Sequence, residues 1–561
     1  MTKSKDDELV FLPLGGCGEI GMNLNAYGYG PANNRRWILI DVGVTFGGED
    51  TPGVDLITAD TTFLEDQGDR IDAIFLTHAH EDHIGAIGLL LPRLQTRAPI
   101  YATAFTAHLA QAKLIERGQK KVSIQVLPLG AEVQAGPFNV RYITLTHSIP
   151  EPNALALETP LGTILHTGDW KIDPDPQLGG ATDTEALTAL GDAGVLAMVC
   201  DSTNVFVEGE SGSEGVVREN LIELIGGLTG RVAVTTFASN VARVASIIEA
   251  ARLAGRSVCL VGRSMHKITD AAVATGVISD LPDLISEDQA GSLPDDHLLF
   301  LCTGSQGEPR AALGRISRDD HRHISLGDGD TVVFSSRVIP GNEKGIYDMQ
   351  NALAEKGVRV ITDRMTENPI HVSGHPARDE LRRMYQWVRP KISVPVHGER
   401  RHIVEHAAYA KSLQVSEAVT PRNGDLIRLA PGNAAVIDNV PNGRLYLDGS
   451  RLVPAESEGI KERRALANWG YVSVAVAIDD NGDVVDGPLL TARGLSEPDG
   501  SNADESLIDV DEALEEAVNG MKRRKRLDDE EVERVLTRAT KKACERTFGR
   551  KPLVDVSVLR V

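Results

Sequence analysis

Cysteine is scarce in this chain. Its 561 residues include five, Cys17, Cys200, Cys259, Cys302 and Cys544, scattered and without a CxxC pair. An odd, dispersed set does not make a disulfide scaffold. It reads as reduced, buried thiols and points to a reducing compartment, the cytoplasm. No apolar run approaches the length of a membrane span. Met1 to Glu8, rich in Lys and Asp, lacks the apolar core of a secretion signal, so no membrane association is expected. Basic charge is in deficit: 58 Lys and Arg stand against 80 Asp and Glu, a formal net charge of −22. That argues against non-specific nucleic-acid binding over the whole surface. It leaves room for a polyanion in a local groove, where two divalent cations would supply about four positive charges. There is no internal repeat and no long low-complexity tract. What is present is ordinary globular material, 42% hydrophobic and 25% charged, in a chain too long for one core.

The most informative stretch is Thr77-His78-Ala79-His80-Glu81-Asp82-His83-Ile84-Gly85. It follows Ile71 to Leu76, an apolar run of strand length, and precedes a Leu-rich helical pattern. The cluster therefore sits at the carboxyl end of a strand, a usual place for a site in an α/β protein. Three imidazoles and a carboxylate within six residues suit a divalent transition metal such as zinc better than a solvated loop. On an extended segment His78 and His80 point the same way. Asp82 and His83 come a turn later and can face a second ion.

Further strands end in polar residues. Trp37 to Val42 carries Asp41, a cap or turn residue. Val140 to Thr146 ends in His147, and Thr163 to Thr167 leads to Gly168-Asp169, where a carboxylate could bridge two ions. His166, inside that strand, reads as a buried structural histidine. Val195 to Val199 ends in Cys200-Asp201-Ser202-Thr203-Asn204. From about residue 216 strands alternate with helices or Gly/Ser turns, the pattern of a parallel α/β domain. Histidines then resume in His371-Val372-Ser373-Gly374-His375 and in Val394-Pro395-Val396-His397, so the chain returns to its first domain. Glu456 to Ala467 is charged and reads as a linker. After it come two strands (Tyr471 to Ile478, Val484 to Ala492), two helices (Ser506 to Val518, Asp528 to Phe548) and a last strand, Leu553 to Leu559. The basic run Lys522 to Arg526 lies between the helices, either as a solvated helix end or as an RNA contact. The expected division is 1–215 and 366–450 for the first domain, 216–365 for the insertion, 451–470 for a linker and 471–561 for an α+β domain.

The H-x-H-x-D-H stretch resembles the signature of the metallo-β-lactamase superfamily, whose fold is an αββα sandwich. Asp201, His375 and His397, in that order, resemble the three motifs of its β-CASP nuclease branch. With Gly15 to Asn23, Thr303 to Pro309, the insertion and the separate C-terminal domain, the chain is similar to the ribonuclease J family over nearly its whole length. The resemblance implies a β-CASP domain inserted in a metallo-β-lactamase domain. It implies a 5′-to-3′ exonuclease favouring 5′-monophosphate ends, with endonuclease activity, acting in rRNA processing and mRNA decay. It assigns His78, His80 and His147 to one zinc and Asp82, His83 and His397 to the other, with Asp169 bridging; manganese or magnesium are alternative activating ions. It makes Asp41 a partner orienting the His cluster.

Two cations can clamp a phosphodiester and bring the pKa of a water to about 7. Asp82 could orient that water. His375, with Asp201 behind it, is the candidate proton donor to the leaving oxygen. Ser239, Asn240, His371, Val372, Ser373, Gly374 and His375 form the expected phosphate site, with short polar groups and no Lys or Arg. Read alone, Ser239-Asn240 is a helix N-cap. The resemblance also implies a calcium at Gly53, Asp55 and Asp448, single-stranded RNA as substrate, a homodimer or larger assembly, and RNA-decay protein partners. Two other readings share the fold: a small-molecule ester or thioester hydrolase, and a metal-dead RNA-binding scaffold. The insertion and second histidine set argue against the first, and the complete ligand set argues against the second.

Overall fold

The computed structural model describes residues 6–48, 50–496 and 507–561. Met1 to Lys5 and Ser506, the expected first residue of a helix, lie outside the described residues. Two compact units account for the chain: Met1–Thr45 with Thr58–Arg444, and Phe46–Ile57 with Leu445–Val561.

The first unit contains two mixed sheets. Among the described residues one has eight strands, with Glu8–Gly15, Leu24–Gly30, Arg36–Ile40 and Ile71–Phe75 side by side at its centre. The other has seven, including Phe138–Thr144, Asn153–Thr159, Gly162–His166, Ala197–Asp201 and Ile392–Val396. Leu9, Phe11, Tyr27, Ile38, Ile40 and Phe75 of the first sheet share one core with Phe138, Tyr142, Leu155, Ile164, Val199 and Val394 of the second. The opposite face of the second sheet (Ile143, Ala156, Leu165, Met198) is covered by helices Thr184–Ala193 and Arg378–Val388 through Leu187, Leu381 and Met384. This is the αββα sandwich of the metallo-β-lactamase fold.

The insertion is a detour between neighbours. Ala197–Asp201 and Ile392–Val396 lie side by side in parallel, with Asp201 opposite Val396. The strand Gly162–His166 is parallel to Ala197–Asp201 on its other side. Residues just past these three strands, Asp169, Asp201 and His397, therefore leave the sheet at one end. The inserted domain is a five-stranded parallel sheet in the order Ser257–Val261, Leu298–Cys302, Val232–Thr235, Thr331–Phe334, Arg359–Thr362. Helices cover both its faces, so its central strands are apolar on both sides, as expected for parallel sheets.

Two buried carboxylates tie the insertion and its return to the sandwich. Glu214 grips the fully buried Arg243 in a two-pronged pair, Nε to Oε2 at 2.9 Å and Nη2 to Oε1 at 2.8 Å. The other Arg243 nitrogen donates to Ser335 Oγ (2.8 Å) and to the carbonyl oxygens of Ser335 and Ile370 (3.2 Å each). Glu380, also fully buried, accepts from Ala377 N, Ile172 N, Ser211 N and Ser211 Oγ at 2.7–2.9 Å. It thereby fixes the loop after Asp169 against the helix after His375.

In the second unit Tyr471–Ile478 is the middle strand, antiparallel to Val484–Arg493 and parallel to Leu553–Arg560. Its alternate residues Val472, Val474, Val476 and Ile478 pack on Val510, Leu514, Val532 and Leu536 of helices Leu507–Asn519 and Asp529–Phe548. The segment expected as a linker instead forms a strand, Arg451–Pro454, and a helix, Glu458–Trp469, closed by Gly470 at φ +76°. Its Glu, Lys, Arg and Ala are good helix formers, and Ile460 alone is buried within that helix, so the pattern offered little periodicity to read. Part of the basic run is spent locally: Arg523 pairs with Asp483, and Arg526 donates to the carbonyl oxygens of Gly482, Asn519 and Met521.

Glu380→Ala would leave four donors without their acceptor, the buried Ala377 N and the part-buried Ile172 N, Ser211 N and Ser211 Oγ, at about 1–3 kcal/mol for a buried one and less for the rest. A net loss of about 3 kcal/mol in a unit of this size should lower the melting temperature by roughly 3 °C. Calorimetry should show this in the transition of the first unit, and an unchanged transition would refute it.

Candidate metal centre

The centre is organised by Asp41. This residue is fully buried at the end of Arg36–Ile40, with φ +63°. Its carboxylate accepts from Thr77 N (2.8 Å), Thr77 Oγ1 (2.8 Å) and His83 Nδ1 (2.7 Å). Because the Thr77 hydroxyl proton goes to Asp41, the 3.0 Å contact between Thr77 Oγ1 and His78 Nδ1 is a bond donated by the imidazole. His147 Nδ1 donates to Gly374 O at 2.5 Å, and His397 Nδ1 donates to Asn23 Oδ1 at 3.0 Å. Each bond places the proton on Nδ1, so the Nε2 lone pairs of His78, His83, His147 and His397 face inward. This is how partners behind a metal-binding histidine set its tautomer.

The candidate ligand atoms form three groups, two that share Asp169 and a third of Asp201, His375 and His397 on the rim. His78, His80, His147 and Asp169 offer ligand atoms all within 4.8 Å of one another, and so do Asp82, His83, His397 and Asp169. In the first, His80 Nδ1 is 3.1 Å from both His78 Nε2 and His147 Nε2. Asp169 Oδ2 belongs to both, 3.3–3.8 Å from the Nε2 atoms of His78, His83, His147 and His397. Its other oxygen, Oδ1, is buried with no hydrogen-bond partner. An orphaned buried carboxylate oxygen amid imidazole lone pairs is the donor chemistry a divalent cation completes. The residues present fit metal ions.

Electrostatics agree. Burial holds His78 and His147 well below the ordinary imidazole range and His80 down at about 4, so all three are neutral and free to ligate. Burial would raise Asp169, but the imidazoles of His397, His83 and His375 hold it well below the usual carboxylate range. His83 is the exception: burial acts against its protonated form, yet Asp169, Asp82 and Asp41 together hold it well above its ordinary value, so a cation at its Nε2 would displace a proton. His166 is a core residue, bonded to Tyr27 Oη at 2.9 Å and pushed by burial to about 4.

On the rim, His375 Nδ1 meets Asp201 Oδ2 at 2.7 Å, a charged hydrogen bond. Burial lowers His375, but Asp201, then Asp169 and Asp82, outweigh it and push it up to about 9. Ser373 Oγ accepts from Asn204 Nδ2 (2.8 Å) and His375 N (3.2 Å), which leaves its own proton free to donate. Asn240 is the N-cap of helix Val241–Leu253: its amide accepts from Arg243 N and donates to Glu214, so its polar atoms are committed inside the protein. Ser239, one residue earlier, is half-buried. His371 is kept well below its ordinary value by burial, then by Arg243, Arg337 and Lys171. The basic groups near it run against the expectation of none, although Arg243, 3.4 Å away, is already neutralised by Glu214. Elsewhere, Asp448 carries an ion pair to Arg463 at 2.6 Å, and a side chain at Gly53 would touch the same guanidinium. Asp55 accepts from Gly47 N through its carbonyl. Among the described residues, every group of three or more candidate metal ligands lies at the centre formed around Asp169.

Sequence reasoning gave no role to Asn23 or Asn204. Asn23 accepts from His397, donates to Asp82 O (3.1 Å) and lies 3.0 Å from His83 Nε2. Asn204 donates to Ser373 Oγ and His375 O (3.0 Å). Both amides follow strand or turn ends already rich in site residues, the one signal that could have singled them out.

Four family models match in chain order: a beta-lactamase superfamily domain at 36–195, the ribonuclease J beta-CASP domain at 229–353, the Zn-dependent metallo-hydrolase RNA specificity domain at 364–421 and the ribonuclease J C-terminal domain at 459–561. The chain is 47% identical to ribonuclease J of Sinorhizobium meliloti, over 100% of its own length and 98% of that protein's. It belongs to the ribonuclease J family. Ribonuclease J of Corynebacterium glutamicum is 37% identical, over 99% of this chain and 76% of that protein. Ribonuclease J of Thermus thermophilus is 33% identical, over 98% and 94%. A crystal structure of a protein of unknown function from Enterococcus faecalis V583 superposes with a TM-score of 0.53 at 17% identity, over 75% of this chain and 100% of that one, a likeness of fold. The family and the centre together make this a ribonuclease J-type nuclease, dependent on divalent metal and acting on RNA. The small-ester hydrolase and the metal-dead scaffold fall away.

Asp41→Asn keeps the size of the side chain but removes the charge behind His83 and turns an acceptor toward donation. Metal affinity should fall about 10–100-fold with the fold intact. Competition against a chromogenic chelator measures it, and wild-type affinity in the variant would exclude Asp41 as the organiser.

Proposed function

We propose that the chain is a two-zinc hydrolase that degrades RNA from a 5′-monophosphate end and also cuts internally. The observation that carries this reading is the pair of ligand groups sharing Asp169, with the His375–Asp201 pair on their rim. His78, His80, His147 and Asp169 would hold one ion; Asp82, His83, His397 and Asp169 would hold the other. Bound there, two divalent cations supply charge for the phosphate and a water with a pKa near about 7. The protein does the rest. Asp82, a quarter exposed, accepts a hydrogen bond from the attacking water and aims it. His375 delivers a proton from Nε2 to the leaving 3′-oxygen while Nδ1–H stays on Asp201 Oδ2. Cations beside Asp169 and Asp82 offset the charges that raise His375, bringing this acid nearer neutrality.

Counting one nucleotide from a 5′ end requires a grip on the terminal phosphate. Ser373 has a free hydroxyl proton, and His371, kept neutral, can donate from one nitrogen; Ser239, Val372 and Gly374 complete the reading with hydroxyl and backbone groups. Several bonds to one charged acceptor make a small, selective pocket. The five cysteines are all free and buried, which fits the reducing cytoplasm. A homodimer is part of the same reading and is checked by sedimentation.

Two measurements test it. His375→Ala should retain both ions by elemental analysis and lose about 10²–10⁴-fold in turnover, whereas His397→Ala should lose one ion. Loss of the same ion in both variants would remove His375 from the acid role. One RNA sequence bearing 5′-monophosphate, 5′-triphosphate or 5′-hydroxyl should release mononucleotides rapidly only from the first, and Ser373→Ala should erase the difference. Equal wild-type rates on all three ends would leave an endonuclease without a measuring pocket.

A further inference from the structure

We propose that Phe206, with Arg401 and His402 beside it, is a stacking platform for one base of the RNA next to the cut. The proposal rests on the ribonuclease reading of the same site. A large aromatic ring 48% exposed is unremarkable alone; its setting is what matters. Phe206 lies five residues past Asp201, and Arg401 and His402 lie four and five residues past His397. The two parallel strands that deliver Asp201 and His397 to the centre therefore also deliver both halves of the platform.

The two loops are locked together. Thr203 Oγ1 donates to His397 O at 3.2 Å, and a Cβ on Gly398 would come within 2.9 Å of His402 Cβ and 3.2 Å of Ser202 Cβ. The turn carrying Phe206 is held by Val205 N to Ser202 O (3.2 Å) and Val207 N to Asn204 O (2.8 Å). Arg378 adds bonds to the carbonyl oxygens of Val205 (2.8 Å) and Val207 (2.9 Å). Inside the same turn Asn204 donates to Ser373 and to the carbonyl of His375. The ring is thus fixed to the groups proposed to grip and protonate the substrate. A fixed aromatic loses little freedom on stacking.

The surroundings suit a nucleotide better than a protein. The His402 ring centroid is 5.5 Å from that of Phe206, inclined by 57°, and the Arg401 guanidinium carbon lies 5.8 Å from the Phe206 centroid. The guanidinium covers one face of the ring and is itself paired with Glu399, which leaves the opposite face for a base, with the His402 imidazole beside it where a protein contact would want apolar neighbours. The nearby acids are already matched: Glu399 pairs with Arg401, and Glu208 and Glu405 pair with Arg378. Stacking on an aromatic face accepts any base, which fits an enzyme that advances along its substrate one nucleotide at a time.

The test uses the metal-loaded full chain, a ten-nucleotide 5′-monophosphate RNA and bis(p-nitrophenyl) phosphate, which has no neighbouring base. Phe206→Ala should raise KM for the RNA about 5- to 100-fold, with its rate on the small diester unchanged, and Phe206→Trp should restore the RNA KM. An abasic site walked along the RNA should raise the wild-type KM at one position beside the cut and add nothing further there in Phe206→Ala. An unchanged RNA KM in Phe206→Ala, or an abasic penalty that adds in full to the mutant's, would overturn the platform while leaving the ribonuclease reading standing. A wild-type enzyme that hydrolyses the small diester but no RNA would overturn both.

Discussion

The centre depends on one buried carboxylate with three donors. Asp41 takes the amide and hydroxyl protons of Thr77 and the Nδ1 proton of His83. Through the Thr77 hydroxyl it also fixes the tautomer of His78. A single charge at the end of one strand thus orients a ligand in each metal group. Its left-handed backbone conformation, unusual for a non-glycine residue, is of the kind that surrounding structure must hold in place. The surroundings here are the full set of bonds that the carboxylate receives.

The rest of the first unit serves to bring distant segments to that carboxylate. The candidate ligands come from the ends of strands in two sheets that share one core. The insertion adds no ligand. It is held at its base by Arg243 and Glu214, and its return strand restores His397 beside Asp201. Breaking a buried pair of this kind leaves an uncompensated charge, a far larger loss than the pair's net contribution.

Much of this was legible in the sequence, because metal ligation concentrates rare residue types at short spacing after apolar runs. His78, His80, Asp82 and His83 announce themselves. The parallel insertion was legible from strands that alternate with helices or Gly/Ser turns. Asn23, Asn204 and Glu380 were not, since each works through bonds to residues as many as 374 positions away. A lone Asn or Glu carries no periodic signature. Arg243 was hidden for a similar reason: a helical arginine reads as surface until its partner, 29 residues earlier, is seen to be buried with it. The helix Glu458–Trp469 was missed because charged residues serve a linker and a solvated helix equally well.

The detour between Ala197–Asp201 and Ile392–Val396 also sets an order of events during synthesis. One ligand group is complete once Asp169 has emerged from the ribosome; the other waits for His397, after the whole inserted domain. Closing so long a loop carries little extra entropy, since each doubling of length adds only about 0.6 kcal/mol, and less once the insertion has folded and drawn its ends together. The delay is therefore one of time more than of energy. A nascent chain, still tethered to the messenger that encodes it, holds an incomplete centre until His397 has been made.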